Sequence, residues 1–80
     1  MTREEIVKEL TPIACGVFKK DDLVLTDELS ATNMDTWTSL SFMMFLTEIE
    51  NRFGFKFKMM ELIGLKTMGN IIDTMEKHLA

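Results

Sequence analysis

Apolar residues fall into three stretches with helical spacing, separated by stretches that have none. Ile6, Leu10, Ile13 and Val17 recur at intervals of four, three and four residues, behind a Thr2 and Glu5 pair spaced as in a capping box. The pattern predicts a first helix that runs to about Phe18. Pro12 lies inside it and has no N–H to give to the Lys8 carbonyl, which predicts a kink, or a restart with Thr11 as cap. From Lys19 to Thr38 no period is sustained and Asp, Thr, Ser and Asn recur. That stretch reads as a long connection pinned by Leu23, Leu25 and Leu29. Loops of this length in small domains often carry function.

Between Ser39 and Phe53 there is neither Gly nor Pro, and Phe42, Phe45, Leu46, Ile49 and Phe53 trace one helical face. Thr47, Glu48, Asn51 and Arg52 lie off it. Thr38 is placed to cap this second helix, with Ser39 in its first turn, and Gly54 suits the left-handed residue that ends it. Phe55-Lys56-Phe57-Lys58 alternates over too few residues to predict a strand, and Met59 to Ile63 provides one or two helical turns before Gly64. Thr67 caps a last helix with Met68, Ile71, Ile72, Met75 and Leu79 inward and Asp73 and Glu76 outward. The expected fold is all-α: a small four-helix bundle with a long loop between helices 1 and 2 and a short third helix, residues 1–80 forming a single domain.

Composition narrows the function classes. Eighty residues, 46% hydrophobic and 28% charged, suffice for one small core and are too polar for a membrane protein. The longest apolar run, Phe42 to Leu46, is far too short to span a bilayer, and Met1 to Glu5 lacks the apolar core of a signal peptide. The chain reads as soluble and cytoplasmic, with no membrane insertion. Cys15 is alone, which excludes an internal disulfide and a multi-cysteine metal site, and it reads as a small buried hydrophobe near Ile13 and Val17. A net charge of −4 disfavours nucleic acid as a partner. Residues 1–40 hold eight acids against four bases, whereas residues 41–80 hold five of each, so the negative field belongs to the first half and its loop. Asp21 to Asp27 lacks the glycine of a calcium loop. His78, the only histidine, reads as a partner of the last helix dipole rather than a catalyst. With no Gly-rich phosphate loop and no Ser-His-Asp set, the chain is not expected to be an enzyme.

One residue invites a chemical role. Ser39 opens a strongly apolar helix after a polar loop, a position where Ser is common simply because it caps well. The same position suits a phosphate ester, because a helix start exposes unpaired N–H groups and a partial positive charge.

The residues around it resemble a family. Trp37-Thr38-Ser39-Leu40 resembles the Asp-Ser-Leu signature of acyl and peptidyl carrier proteins, particularly the branch with a preceding Trp. The segment Phe45 to Phe55 is similar to the family's second helix, and Leu65-Lys66-Thr67-Met68-Gly69-Asn70 to its Thr-Val-Gly-Asp start of the last helix. The likeness covers nearly the whole chain in register. It implies an acyl carrier protein in which a phosphopantetheinyl transferase links 4′-phosphopantetheine covalently to Ser39. Acyl groups would then be held as thioesters for loading and processing enzymes of fatty-acid, polyketide or related biosynthesis. It also implies a monomer that shelters its cargo among unbranched side chains such as Met43, Met68 and Met75.

Two departures accompany the resemblance. Thr38 stands where the family has Asp before the modified Ser, and Asp35, four residues before Ser39, is the candidate to replace that charge. Ser41 is the lesser candidate acceptor, since it does not precede Leu. The start of helix 2 is also unusually apolar, and one helix cannot bury all of Phe42 to Leu46. Met44, with Met43 next in line, is expected to face outward. The expected partner-binding surface comprises Asp35, Trp37, Thr38, Leu40, Phe42, Met43, Met44 and Thr47, steered by loop acids. Trp37 is either a staple on the bundle or part of that surface. Two alternatives stay open: an unmodified carrier-like interaction module, and an aminoacyl (D-alanyl or peptidyl) carrier, which the Ile49 to Phe53 segment also resembles.

Overall fold

Three threonines set the starts of the three long helices. In the computed structural model, which describes residues 1–80, these are α1 (Arg3–Phe18), α2 (Ser39–Phe53) and α4 (Met68–His78), with a short α3 (Met59–Ile63) before the last. Thr2 Oγ1 accepts from the Glu5 N–H at 3.2 Å while the Glu5 carboxylate accepts from the Thr2 N–H at 2.8 Å. Thr67 and Asn70 exchange the same pair of bonds, each 3.1 Å, at the start of α4. Such reciprocal caps satisfy donors that the first helical turn leaves unpaired, worth about 1 kcal/mol each. Gly54 ends α2 at φ 75°, as the sequence predicts, whereas α1 ends at Lys19, a side-chain-bearing residue held in the left-handed region at φ 56°.

Pro12 produces no restart. The helix runs through it without a second cap, and the Thr11 hydroxyl instead donates to the Val7 carbonyl one turn back at 2.7 Å. Exposure of Lys8 and Pro12 lets water serve the carbonyl that Pro12 cannot. The buried face of α1 is Ile6, Leu10, Ala14 and Phe18, an unbroken four-residue repeat. Ile13 and Val17, expected inward, lie half-buried on its rim. Cys15 is likewise only half-buried, its Sγ 3.7 Å from the Asp21 carbonyl, which corrects the expectation of a buried thiol.

Helix α1 packs against both α2 and α4. Phe45, Leu46 and Ile49 of α2 meet it from one side and Met68, Ile71, Ile72 and Met75 of α4 from the other. Full burial of side chains of this size contributes roughly 1.5–3 kcal/mol apiece. The long loop closes the bundle: Leu25, Met34 and Trp37 are buried in the same core, with Leu23 and Leu29 packed on its edge. Two loop carbonyls also serve the start of α4, Leu29 O accepting from the Met68 N–H at 2.8 Å and Asp27 O from the Gly69 N–H at 3.1 Å. The approach is so close that a Cβ on Gly69 would lie 2.9 Å from the Asp27 Cβ.

Arg3 fastens the same three elements from outside. Its guanidinium bonds Asp27 of the loop at 2.9 Å, Asp73 of α4 at 2.7 Å, and Glu76 of α4. These bonds, that to Asp73 foremost, hold its pKa well above the ordinary arginine value. The fold is thus all-α, four helices and no strand, with a long first connection and a short third helix. No helix is long and apolar enough to cross a membrane.

Candidate functional site

The start of α2 is fixed by two interlocking devices. Thr38 Oγ1 accepts from the Ser41 N–H at 3.1 Å, and Ser41 Oγ accepts from the Thr38 N–H at 2.8 Å. Ser41 Oγ in turn donates to the Thr36 carbonyl at 2.7 Å, and only 9% of the residue is exposed. The second device is a hydrophobic staple. Trp37, just before the cap, stacks on Phe42 one turn into the helix, with ring centroids 6.0 Å apart and planes inclined by 16°. Its other neighbour is Phe18 at the end of α1, 5.2 Å away at 21°. Trp37 is therefore buried as the staple that sets the entry angle of α2, and its ring is not available as docking surface.

These constraints separate the two serines. Ser41 is consumed by the cap, whereas Ser39 is exposed as the first residue of α2 and stands outside the cap's bonds. With the Ser41 N–H bonded to Thr38 Oγ1 and the Phe42 N–H bonded to the Thr38 carbonyl at 2.9 Å, the N–H groups of Ser39 and Leu40 stay open at the helix end. No acid lies in the first turn. An anion esterified to Ser39 Oγ would meet a favourable field and no carboxylate on its own helix turn.

Ser39 also opens onto a cleft of about 490 Å³ lined by Ala31, Trp37, Thr38, Phe42, Leu65 and Lys66. Its floor is apolar and its far wall comes from the segment between α3 and α4. Ala31, Leu65 and Lys66 are site residues that sequence reasoning did not assign: Leu65-Lys66 was legible only as part of a helix start, and its approach to Ser39 is purely tertiary. Thr38 is shared with a second groove of about 280 Å³, between the end of α1 and α2, whose lining includes Val17, Lys19, Leu40 and Met44.

The remaining predicted positions divide. Leu40, 72% exposed, and Met43 and Met44, about half exposed, form an apolar outer surface on the first turns of α2, while Phe42 is half-buried beneath. Thr47 is exposed, but its hydroxyl donates back to the Met43 carbonyl at 3.0 Å. Asp35 is exposed and paired with Lys20 at 3.2 Å, and that hydrogen bond holds its carboxyl below the ordinary value. Of the loop acids expected to steer partners, Asp27 is engaged by Arg3, while Asp21, Asp22 and Glu28 are exposed.

The α3 segment presents a surface the sequence did not single out. No residue of α3 is buried, and Met59 and Met60 are 80% and 78% exposed. It is anchored by its flanks, Phe57 and Leu65, and by Glu61, whose Oε1 accepts from the Lys58 N–H at 2.7 Å and meets His78 Nε2 at 2.8 Å. The His78 ring stacks on Phe55 at 4.5 Å. His78 thus ties α4 to α3 in addition to lying in the last turn of its helix, and the bond from His78 draws the Glu61 carboxyl below its ordinary value of 4.5.

Residues 8–75 match the model of a family described as a phosphopantetheine attachment site. The chain is similar to the holo acyl carrier protein from Geobacter metallireducens, whose solution structure superposes with a TM-score of 0.84. The two are 41% identical, over 91% of this chain and 84% of that one. No curated protein sequence matches.

Proposed function

The chain belongs to the acyl carrier protein family, whose cofactor is a covalently attached 4′-phosphopantetheine, and we propose that Ser39 is the residue that bears it. The observation that carries this reading is the division of labour at the start of α2: Ser39 is exposed beside the cleft, whereas the neighbouring hydroxyls of Thr38 and Ser41 are engaged in the cap, Ser41 buried there. The residues fit the group. Ser39 Oγ supplies the ester oxygen, the open N–H groups of the helix end face the phosphodiester's charge, and Trp37, Phe42 and Leu65 provide an apolar floor.

On loading, Ser39 Oγ forms a bond to phosphorus and loses its proton as the pyrophosphate of coenzyme A breaks and adenosine bisphosphate leaves, with a phosphopantetheinyl transferase as catalyst. When bound, the arm supplies a terminal thiol that holds acyl groups as thioesters. The chain itself contributes presentation rather than catalysis: a rigid helix start from which a flexible tether delivers cargo at high effective concentration to each partner. Partners are the transferase and acyl-loading and acyl-processing enzymes of fatty-acid, polyketide or related biosynthesis, met in the cytoplasm by a monomeric single domain. Leu40, Met43 and Met44 form the apolar part of the docking surface, and exposed loop acids supply steering.

Intact mass after incubation with coenzyme A, magnesium and a broad-specificity transferase tests the reading. A gain of one phosphopantetheine, abolished by Ser39→Ala, is expected. An unchanged mass in the folded wild-type chain contradicts it and favours an unmodified interaction module, the outcome to which the absence of an acid at Thr38 would then be traced. Asp35→Ala separates one further point: slowed loading would assign the missing charge to Asp35, and wild-type loading would deny it that role.

A further inference from the structure

Lys66 is the single charged side chain lining the cleft onto which Ser39 opens. Its backbone is held in place, the N–H donating to Asn70 Oδ1 at 3.1 Å beside the buried Leu65, while the side chain is exposed. None of the chain's ion pairs involves it. The other cations near α2 are placed differently: Lys20 is paired with Asp35, and Lys19 lines the groove on the α1 side, which Ser39 does not line. An ammonium without a carboxylate therefore shares a cleft with the hydroxyl proposed to bear a phosphodiester, and no acid of the cleft or of the first turn of α2 competes for either charge.

We propose that the Lys66 ammonium pairs with the phosphodiester on Ser39 and biases the attached arm into the cleft over Trp37, Phe42 and Leu65 rather than into the groove beside Leu40 and Met44. The inference rests on Ser39 as the attachment site. Lys66 is a positioning residue: it leaves the ester bond to the transferase and selects the direction in which the tether leaves the helix end. Selection by one exposed charge pair is modest and reversible, as a carrier that must release its arm to partner enzymes requires.

The experiment uses holo protein prepared with the transferase, its mass verified first, for wild type, Lys66→Gln and Lys66→Arg. The readout is the set of nuclear Overhauser contacts from the two arm methyl groups next to the phosphate. Wild type is expected to show contacts to Leu65 and Phe42 that weaken by about threefold in Lys66→Gln, persist in Lys66→Arg, and fade in wild type at high salt. Because the Lys66 side chain makes no contact in the core, both variants keep the apo fold, which amide spectra verify. Equal contacts in Lys66→Gln and wild type, or wild-type contacts to Leu40, Val17 and Met44 instead, would overturn the pairing while leaving the attachment intact. Failure of the wild-type chain to gain mass would overturn both.

Discussion

The two walls of the Ser39 cleft are built differently. One is the start of α2, where a reciprocal cap, a buried serine hydroxyl and a Phe18–Trp37–Phe42 stack determine the backbone several times over. The other is Leu65 and Lys66, which follow α3, a helix with no buried residue whose attachment is concentrated at Phe57, Leu65 and the Glu61–His78 contact. The firm wall holds the Ser39 hydroxyl, the attachment point proposed above. The soft wall borders the opposite side of the cleft onto which Ser39 opens, through Leu65 and Lys66. A small bundle thereby combines a firmly held helix start and a lightly anchored segment in one core of marginal size.

Breaking the firm wall should cost most. Trp37→Ala removes a buried ring between α1 and α2 and is expected to destabilise the fold by about 3–5 kcal/mol, read from denaturant unfolding. A loss below 1 kcal/mol would show that the stack is incidental. Next is the seam between the loop and α4. Gly69→Ala gains helix propensity, yet the new methyl lands on Asp27, 2.9 Å from its Cβ and 3.2 Å from its Cα, so a net loss of about 1–2 kcal/mol is expected, with shifted amide resonances at residues 27–29. Unchanged stability would mean that the loop gives way freely. Thr38→Ala deletes the cap alone, at about 1 kcal/mol, and should raise amide exchange in the first turn of α2 more than elsewhere.

The soft wall should respond locally. His78→Ala removes both the Glu61 contact and the Phe55 stack, and faster amide exchange confined to residues 58–66 is expected, with a fall in Tm of only about a few degrees. Acidification sharpens the same point. A carboxyl whose pKa is lowered on folding stabilises the fold above its ordinary value, here 4.5, and loses that contribution as pH falls through the lowered one. Titration to below 4.5 should therefore shift the backbone amide resonances of residues 58–66 before the core unfolds. Simultaneous loss of the Trp37 signals would erase the distinction between the walls.

Helix starts were legible because each is a local chemical event. Thr2, Thr38 and Thr67 announce themselves as caps three residues ahead of Glu5, Ser41 and Asn70, and Gly54 as a stop. The end of α1 at Lys19 carried no such mark. The inward face of α1 was half-legible, since Ile6 and Leu10 lie on it, but continuing through Ile13 and Val17 rather than Ala14 and Phe18 chose the more hydrophobic branch over the geometrically straight one. What joins distant segments was not legible at all. Arg3 reaches three acids, two of them some seventy residues away, His78 reaches Glu61, and Lys66 arrives beside Ser39 only because α4 packs where it does. No spacing rule encodes such meetings. Trp37 is intermediate: its place before a cap and five residues before the next aromatic of the helix face suggested a staple, and the structure shows that staple formed.

The central claim is that the fold exposes one serine for modification and withholds the other. Fragmentation mass spectrometry of the transferase-loaded wild-type chain tests it most directly, because it assigns the added mass to a residue. The account predicts phosphopantetheine on Ser39 and none on Ser41; its presence on Ser41, or on any residue other than Ser39, would contradict it.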